Sequence, residues 1–208
     1  MLDHTTLTLF CTASVLLALA PGPDNIFVLT QSAIKGRLVG LVVTLGLCTG
    51  LLVHTTAVAL GVAALFQASA LAFNLLKYAG AAYLLYLAWG AFRAGASALL
   101  DKADQETSWL RFYLRGIVMN VTNPKVSIFF LAFLPQFTNP AKGSLPLQLI
   151  MLGGVFILAT LLVFGGIAVL AGWLGQRLRQ SERAQLLLNK TAGVIFAGLA
   201  LKLATASR

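Results

Sequence analysis

Residues 15–25 of the chain read Val-Leu-Leu-Ala-Leu-Ala-Pro-Gly-Pro-Asp-Asn. Proline removes a backbone hydrogen bond from a helix and clashes with the preceding turn, so Pro21, Gly22 and Pro23 predict an unwound segment. No charged residue occurs from residue 5 to residue 23, and about 20 apolar residues are enough to cross a bilayer as a helix. This stretch therefore predicts a membrane-spanning helix that is broken by proline.

The composition of the whole chain indicates a membrane protein. Of the 208 residues, 59% are hydrophobic and 10% are charged, and the mean hydropathy is +0.88. Soluble domains carry about a quarter charged residues, and disordered chains combine low hydrophobicity with high net charge, so both classes are excluded. Cys11 and Cys48 lie in apolar runs without a CxxC partner. Neither a disulfide framework nor a zinc site nor a redox pair is expected.

Charge-free stretches define six predicted spans, roughly 5–32, 39–65, 71–93, 112–137, 146–173 and 185–205. Lys190 and Lys202 in the last span must extend toward opposite membrane faces, unless that segment lies at the interface. The end of the first apolar run imitates a signal-peptide cleavage site. No Lys or Arg precedes residue 35, however, and Pro21 would follow the cut, so we expect the first span to be retained.

Lysine and arginine are distributed unevenly between the predicted loops. With both termini outside, ten of the fifteen basic residues fall on the inner side and four on the outer side, which favours this orientation. Trp89, Trp109 and Trp173 fall near predicted inner ends, and we interpret them as interface anchors. Because the basic residues lie in short loops between apolar spans, we expect them to contact anionic lipid headgroups and expect no nucleic-acid partner.

The two halves of the sequence show related patterns. Residues 77–83 and 190–196 both read Lys-x-Ala-Gly-x-x-aromatic, and Pro124 interrupts the fourth span as Pro21 and Pro23 interrupt the first. Halves of three spans enter the membrane from opposite sides, as in the inverted repeats of many secondary transporters. We therefore predict an all-α polytopic membrane protein with six transmembrane helices in two inverted-topology three-helix repeats. A single transporter domain would cover 1–208, with repeat 1 at about 1–100, an inner linker at about 94–110 and repeat 2 at about 111–208.

One charged residue follows each break, Asp24 in the first half and Lys125 in the second. A charge at a helix centre costs about 2.5–3.5 kcal/mol on the insertion scale, so two isolated charges would be hard to explain. A two-fold axis relating the breaks would bring them together, and we predict an ion pair across the repeat interface. A purely structural pair is the alternative.

The charge pair allows two functional interpretations. A free amino acid could replace both partners with its own carboxylate and ammonium groups. Alternatively, Asp24 is the proton site, and its protonation would release Lys125 for the substrate carboxylate and couple export to the proton gradient. Asn25 and Asn123 supply polar side chains beside the breaks, and Gln31, Ser32, Asn120, Thr122 and Ser127 add to them.

Further residues of the apolar spans have two interpretations each. His54 is of a residue type that can relay protons, although a lone intramembrane histidine is at least as often a hydrogen-bonded packing residue. Gly46 and Gly50 in the second span permit close helix contact, as do the glycines of the fifth span at 153, 154, 165 and 166. Packing within the molecule is the default expectation, and a homodimer is secondary.

Four motifs in register resemble the LysE-type amino-acid exporter family, most closely its RhtB (homoserine and threonine efflux) branch. They are the segments at 21–25, 77–84, 123–125 and 129–137. The resemblance covers nearly the whole chain. It implies a carrier of the bacterial inner membrane that exports amino acids or small derivatives, driven by proton motive force without a cofactor. It also implies functional roles for Asp24, Asn25, Asn123, Pro124 and Lys125.

Other functional classes fit the sequence less well. A membrane thiol oxidoreductase needs reactive cysteines in the first and fourth spans, and a hydrolase needs a Ser/Lys, Asp/Asp or HExxH arrangement, so we predict no enzyme activity. A heavy-metal exporter would need several acidic, Cys or His ligands, and no metal site is expected. Export of another small solute or of a metal cation on the same fold stays the alternative function.

Overall fold

The structure, a computed structural model, describes residues 2–68, 70–93, 108–180 and 182–205. These residues form helices and contain no β-strand. The α-helices are α1 (His4–Leu19), α2 (Pro23–Lys35), α3 (Arg37–Ala68), α4 (Ala70–Arg93), α5 (Trp109–Val121), α6 (Pro124–Ile128), α7 (Leu145–Gln180) and α8 (Glu182–Ala204). Between α6 and α7 lie a π-helical segment, Phe129–Phe133, and two 3-10 segments, Leu134–Phe137 and Pro140–Lys142.

Helices occupy all six predicted spans. Among the described residues, the helical stretches Arg37–Gly61 and Leu145–Ala171 are long and apolar enough to cross a membrane as single helices. Two bent pairs meet the same criterion of length and apolarity when each pair is counted as one span. They are His4–Leu19 with Pro23–Lys35 and Trp109–Val121 with Pro124–Phe137. The third and sixth predicted spans correspond to α4 and α8, which fall outside this set. Most of the predicted linker, residues 94–107, lies outside the described residues.

The two predicted breaks are present, and local sequence explains them. The first turns the chain by 59° between α1 and α2, and the second by 50° after α5. Both following helices begin with proline, at Pro23 and Pro124, because the first turn of a helix tolerates a missing N–H. Asn123 caps the second by accepting a hydrogen bond from the N–H of Lys125. Gly36 ends α2 at a φ of 95°, a conformation that favours glycine.

Elements of the first half pack mainly against elements of the second. Helix α3 lies along α5, α4 lies along α8, and the bent pair α1 and α2 lies along α7. Close approach depends on glycine, because a Cβ on Gly46 would overlap the backbone of Tyr113 and one on Gly116 would lie 2.5 Å from the carbonyl oxygen of Val43. The predicted packing role of Gly46 within the molecule is therefore confirmed.

Aromatic side chains from three elements pack together in the core. Phe129 and Phe130, at the start of the π-helical segment, are fully buried. Their rings contact Phe156 of α7 with centroids 5.1 and 5.3 Å apart. Phe10 of α1 approaches Phe129 at 6.1 Å. A π-helical turn is typical of functional positions inside helices, and here it continues α6, the short helix that begins at the second break.

Candidate functional site

The end of α1 shows how the first break is stabilised. In a continuous helix the N–H of residue 21 would bond to the carbonyl of Leu17, but proline has no N–H. Lys125 Nζ donates to the Leu17 oxygen at 3.1 Å and to the Ala20 oxygen at 2.9 Å. Asn25 Nδ2 donates to the oxygen of Ala18 at 2.5 Å. A cation also suits the negative end of a helix dipole, so Lys125 caps α1 from the other half of the chain.

Asp24 lies in the first turn of α2, and its side chain is 3% exposed. The N-terminal end of a helix carries a partial positive charge, which favours a carboxylate at this position. The ammonium group of Lys125, the amides of Asn123 and Asn120, and the ring of His54 lie near this carboxylate. The two charges are thus within electrostatic range of one another, and a direct ion pair between them stays a prediction.

Room for the Lys125 ammonium group comes from the glycine between the two prolines. A Cβ on Gly22 would lie 3.2 Å from Lys125 Nζ and 3.8 Å from Asn25 Oδ1. The φ of Gly22 is −165°, an extended conformation open to any residue, so space is what glycine provides here. The break therefore combines an unwound backbone with a gap that a lysine from α6 occupies.

Most of the buried polar atoms without a hydrogen-bond partner lie near the breaks, and two lie farther along α2. Within the described part of the chain they are Asp24 Oδ1, Asn25 Oδ1, Thr30 Oγ1, Gln31 Oε1, Asn120 Oδ1 and Asn123 Nδ2. Folded proteins pair roughly 90% or more of such groups, so a concentration of unpaired ones marks a place where a ligand or water completes the bonds. The chemistry available is that of a small polar site with several acceptors and a nearby cation.

His54 lies beside this site and contacts Asn120 and Phe130. Its Nε2 is 3.2 Å from the backbone oxygen of Asn120, and its ring is 5.6 Å from the ring of Phe130. Both contacts suit a hydrogen-bonded packing residue, and proximity to Asp24 suits the proton-relay hypothesis. The relay stays a prediction.

The sequence predicted most of the residues that meet here, but it left two features out. Asp24, Asn25, Asn123 and Lys125 all lie at the breaks, as do the prolines. Asn120 was counted only among the nearby polar residues, although its carboxamide approaches Asp24. The capping of α1 by Lys125 was also not foreseen, yet the carbonyls left without a donor by Pro21 were a signal that a donor from elsewhere was needed.

A cavity of about 480 Å³ lies at the other end of α1. It is lined by Asp3, Thr6, Gln136, Asn139, Lys142 and neighbouring side chains, and by none of the residues at the breaks. Lys142 Nζ donates to Asp3 Oδ2 at 2.6 Å. This bond and those from Thr6 hold the pKa of Asp3 well below its usual range. The cavity and the candidate site are therefore separate features.

The family of LysE type translocators matches residues 15–207. The chain belongs to this family. As a LysE type translocator it is a membrane transporter and not an enzyme, and the resemblance seen in the four motifs is confirmed.

Curated relatives extend over nearly the whole chain. A homoserine/homoserine lactone efflux protein of Salmonella typhimurium is 36% identical over 193 residues, which cover 93% of each chain. An uncharacterized membrane protein of Vibrio cholerae is 34% identical over 203 residues, covering 98% of each chain. Another from Pseudomonas aeruginosa is 33% identical over 204 residues, covering 93% of this chain and 92% of its own. No solved structure matches.

Proposed function

We propose that this translocator is a secondary active exporter of amino acids or small amino-acid derivatives across the bacterial inner membrane, driven by the proton motive force. The observation that carries the proposal is the meeting of two broken helices around the buried charges of Asp24 and Lys125. The relatives named for efflux of homoserine and homoserine lactone support the substrate class.

The proposed architecture is six spans in two inverted repeats within one domain over 1–208, with both termini outside. Packing between the halves supports it. The bent first element of each half lies against the long second helix of the other half, α1 and α2 on α7 and α5 on α3, and the third helices α4 and α8 pair. This is the set of contacts that a two-fold exchange of the halves reproduces. Trp89 and Trp109 are 62% and 52% exposed, as suits interface anchors.

In the proposed mechanism Asp24 binds a proton and the substrate in turn. Its carboxylate has an oxygen without a hydrogen-bond partner, so a proton or a substrate cation has an acceptor there. Lys125 provides the compensating positive charge while it caps α1. Exchange of a proton for substrate at Asp24 couples outward movement of the solute to inward movement of the proton. His54, near this carboxylate, is the proposed relay.

The test is efflux from cells loaded with a panel of radiolabelled amino acids. We expect faster export of one or a few small amino acids, loss of that export in Asp24→Asn and Lys125→Ala at matched membrane levels, and collapse with a protonophore. The chain offers matched controls in Asp3→Asn and Lys142→Ala, which make the same changes at the exposed Asp3–Lys142 pair. Normal export by either site variant would refute the role of the pair.

Export of a metal cation on the same fold is the weaker alternative. Within the described residues no three His, Cys, Asp or Glu side chains are grouped so that they could hold a metal ion. A panel of amino acids that shows no accelerated efflux would redirect the search to other small solutes.

Lipids and a second copy of the chain are the proposed partners. Leu60, Leu71 and Leu162 are each more than two-thirds exposed, a degree of exposure that suits contact with acyl chains. Gly154 and Gly166 of α7 have open space where a Cβ would lie, so a helix of a second copy could approach there. Cross-linking of Gly154→Cys in membranes tests this dimer.

A further inference from the structure

Three of the unpartnered buried atoms at the two breaks are hydrogen-bond acceptors. They are Asp24 Oδ1, Asn25 Oδ1 and Asn120 Oδ1, on side chains that are 3%, 8% and 2% exposed. Asp24 and Asn25 are consecutive in the first turn of α2, and Asn120 lies in the last turn of α5 with its amide close to Asp24. The described site therefore offers three acceptors from two helices.

Donors are scarcer at the same place. Among the described residues at the breaks, Asn123 Nδ2 is the one donor of these unpartnered buried atoms, and its amide lies close to Asp24. The ammonium group of Lys125 is engaged with the carbonyls of Leu17 and Ala20. An ammonium ion carries three donors and no acceptor, whereas a carboxylate is an acceptor only. A site with more free acceptors than free donors therefore suits an ammonium group better than a carboxylate.

We propose that Asp24 Oδ1, Asn25 Oδ1 and Asn120 Oδ1 form a binding site for an ammonium group of the exported solute. Whether a solute is transported depends more on its ammonium group than on a carboxylate. The inference rests on the proposed export of amino compounds and specifies their recognition. The class accepted is small solutes with a protonated α-amine, including amino-acid esters and lactones that lack a free carboxylate. Hydroxy acids are rejected, because a hydroxyl group donates one hydrogen bond where an ammonium group donates three, and two acceptors would stay buried and unpaired.

Gly50 of α3 sets the position of one acceptor. A Cβ on Gly50 would lie 2.7 Å from both Cβ and Oδ1 of Asn120, closer than real contacts allow. Gly50→Ala therefore displaces the Asn120 oxygen without changing its chemistry. Gly61 lies on the same helix and has no atom within 4 Å of such a Cβ, so Gly61→Ala is the matched control.

The experiment measures counterflow in proteoliposomes that contain the purified full-length protein. The probes are radiolabelled homoserine, threonine and leucine, each in competition with its own methyl ester and with its α-hydroxy acid, at about pH 6, where α-amino groups are protonated. We expect esters to compete within about threefold of the unlabelled amino acid and hydroxy acids to be at least about tenfold weaker. The reverse ranking would overturn the ammonium-binding site while leaving amino-acid transport in place.

Variants separate the ammonium contact from a carboxylate contact. Asn120→Leu and Gly50→Ala are expected to raise the half-maximal concentrations of amino acid and ester by the same factor, about tenfold. A contact to the carboxylate would raise the value for the amino acid alone, and that result would refute the assignment. Half-maximal concentrations that are unchanged from wild type in both variants would also refute the assignment. Absence of counterflow for all three probes would instead refute the proposed function, and this inference with it.

Discussion

Replacing Lys125 with methionine tests whether the lysine holds the first break. Methionine has a similar length and no hydrogen-bond donor, so the oxygens of Leu17 and Ala20 lose the donor at 3.1 and 2.9 Å. A buried carbonyl left unpaired costs about 1–3 kcal/mol, so the two together predict a loss of roughly 2–6 kcal/mol in the free energy of unfolding. Lys125 is 6% exposed, which leaves little access for water to compensate.

The same substitution also leaves Asp24 without its nearby cation, and a double-mutant cycle separates the two effects. Asp24→Asn removes the carboxylate charge and keeps the size of the side chain. We expect Lys125→Met to cost at least about 2 kcal/mol in the Asp24→Asn background too, because the carbonyls lie on α1 and are unchanged.

Reversible unfolding of the purified protein in mixed micelles with increasing sodium dodecyl sulfate measures these values. Lys142→Met is the control, because it makes the same change at a lysine that is about half exposed and should shift the transition much less. A cost below about 0.5 kcal/mol for Lys125→Met in the Asp24→Asn background would show that Lys125 acts only as the counter-ion of Asp24. That outcome would refute the capping role.

Three further predictions address the packing and the ends of the helices. Gly116→Ala should destabilise the protein by about 1–3 kcal/mol, because its Cβ would meet the backbone of α3, whereas Gly154→Ala should leave thermal unfolding unchanged or raise its midpoint. Equal effects of the two substitutions would contradict the helix contact. Asn25→Leu should cost about 1–3 kcal/mol in the same unfolding assay, because the oxygen of Ala18 loses its donor, and a neutral result would argue against the observed bond. The carboxyl of Asp3 should titrate below the ordinary aspartate pKa of about 3.9 in a carbon-13 NMR titration, and Lys142→Ala should raise its pKa. Because the folded-state pKa is lowered, the stabilisation is complete above the ordinary value and is lost as the pH falls through the lowered one. Titration of wild-type Asp3 at the ordinary value would sink this prediction.

Long charge-free stretches made the helices predictable from sequence, and the prolines made the breaks predictable. The effect of Pro21 and Pro124 on the helix is local, because a missing N–H interrupts a helix whatever surrounds it. The glycines at 46 and 50 predicted a close helix contact but not its partner. That partner, α5, is distant in the sequence, and only the packing of the two halves identifies it.

The candidate site was predictable in its residues and less so in its bonds. Asp24 and Lys125 attract attention because charge is rare in apolar spans. Their hydrogen-bond partners depend on how α6 docks against the end of α1, and no periodicity in the sequence reports that docking. Asn120 carries no such signal, since an asparagine at the end of a helix is common. Its importance appears only when its oxygen is found buried near Asp24 without a partner.

The capping of α1 by Lys125 has a consequence for how the chain is made. Leu17 and Lys125 are 108 positions apart, so the ribosome synthesises α1 to α5 before it reaches the lysine that caps α1. Backbone carbonyls without donors are costly in hydrocarbon. Until α6 arrives, we expect the end of α1 to retain water. Once α6 is inserted, we expect the ammonium group of Lys125 to replace that water, so an element of the second half completes the first helix of the first half.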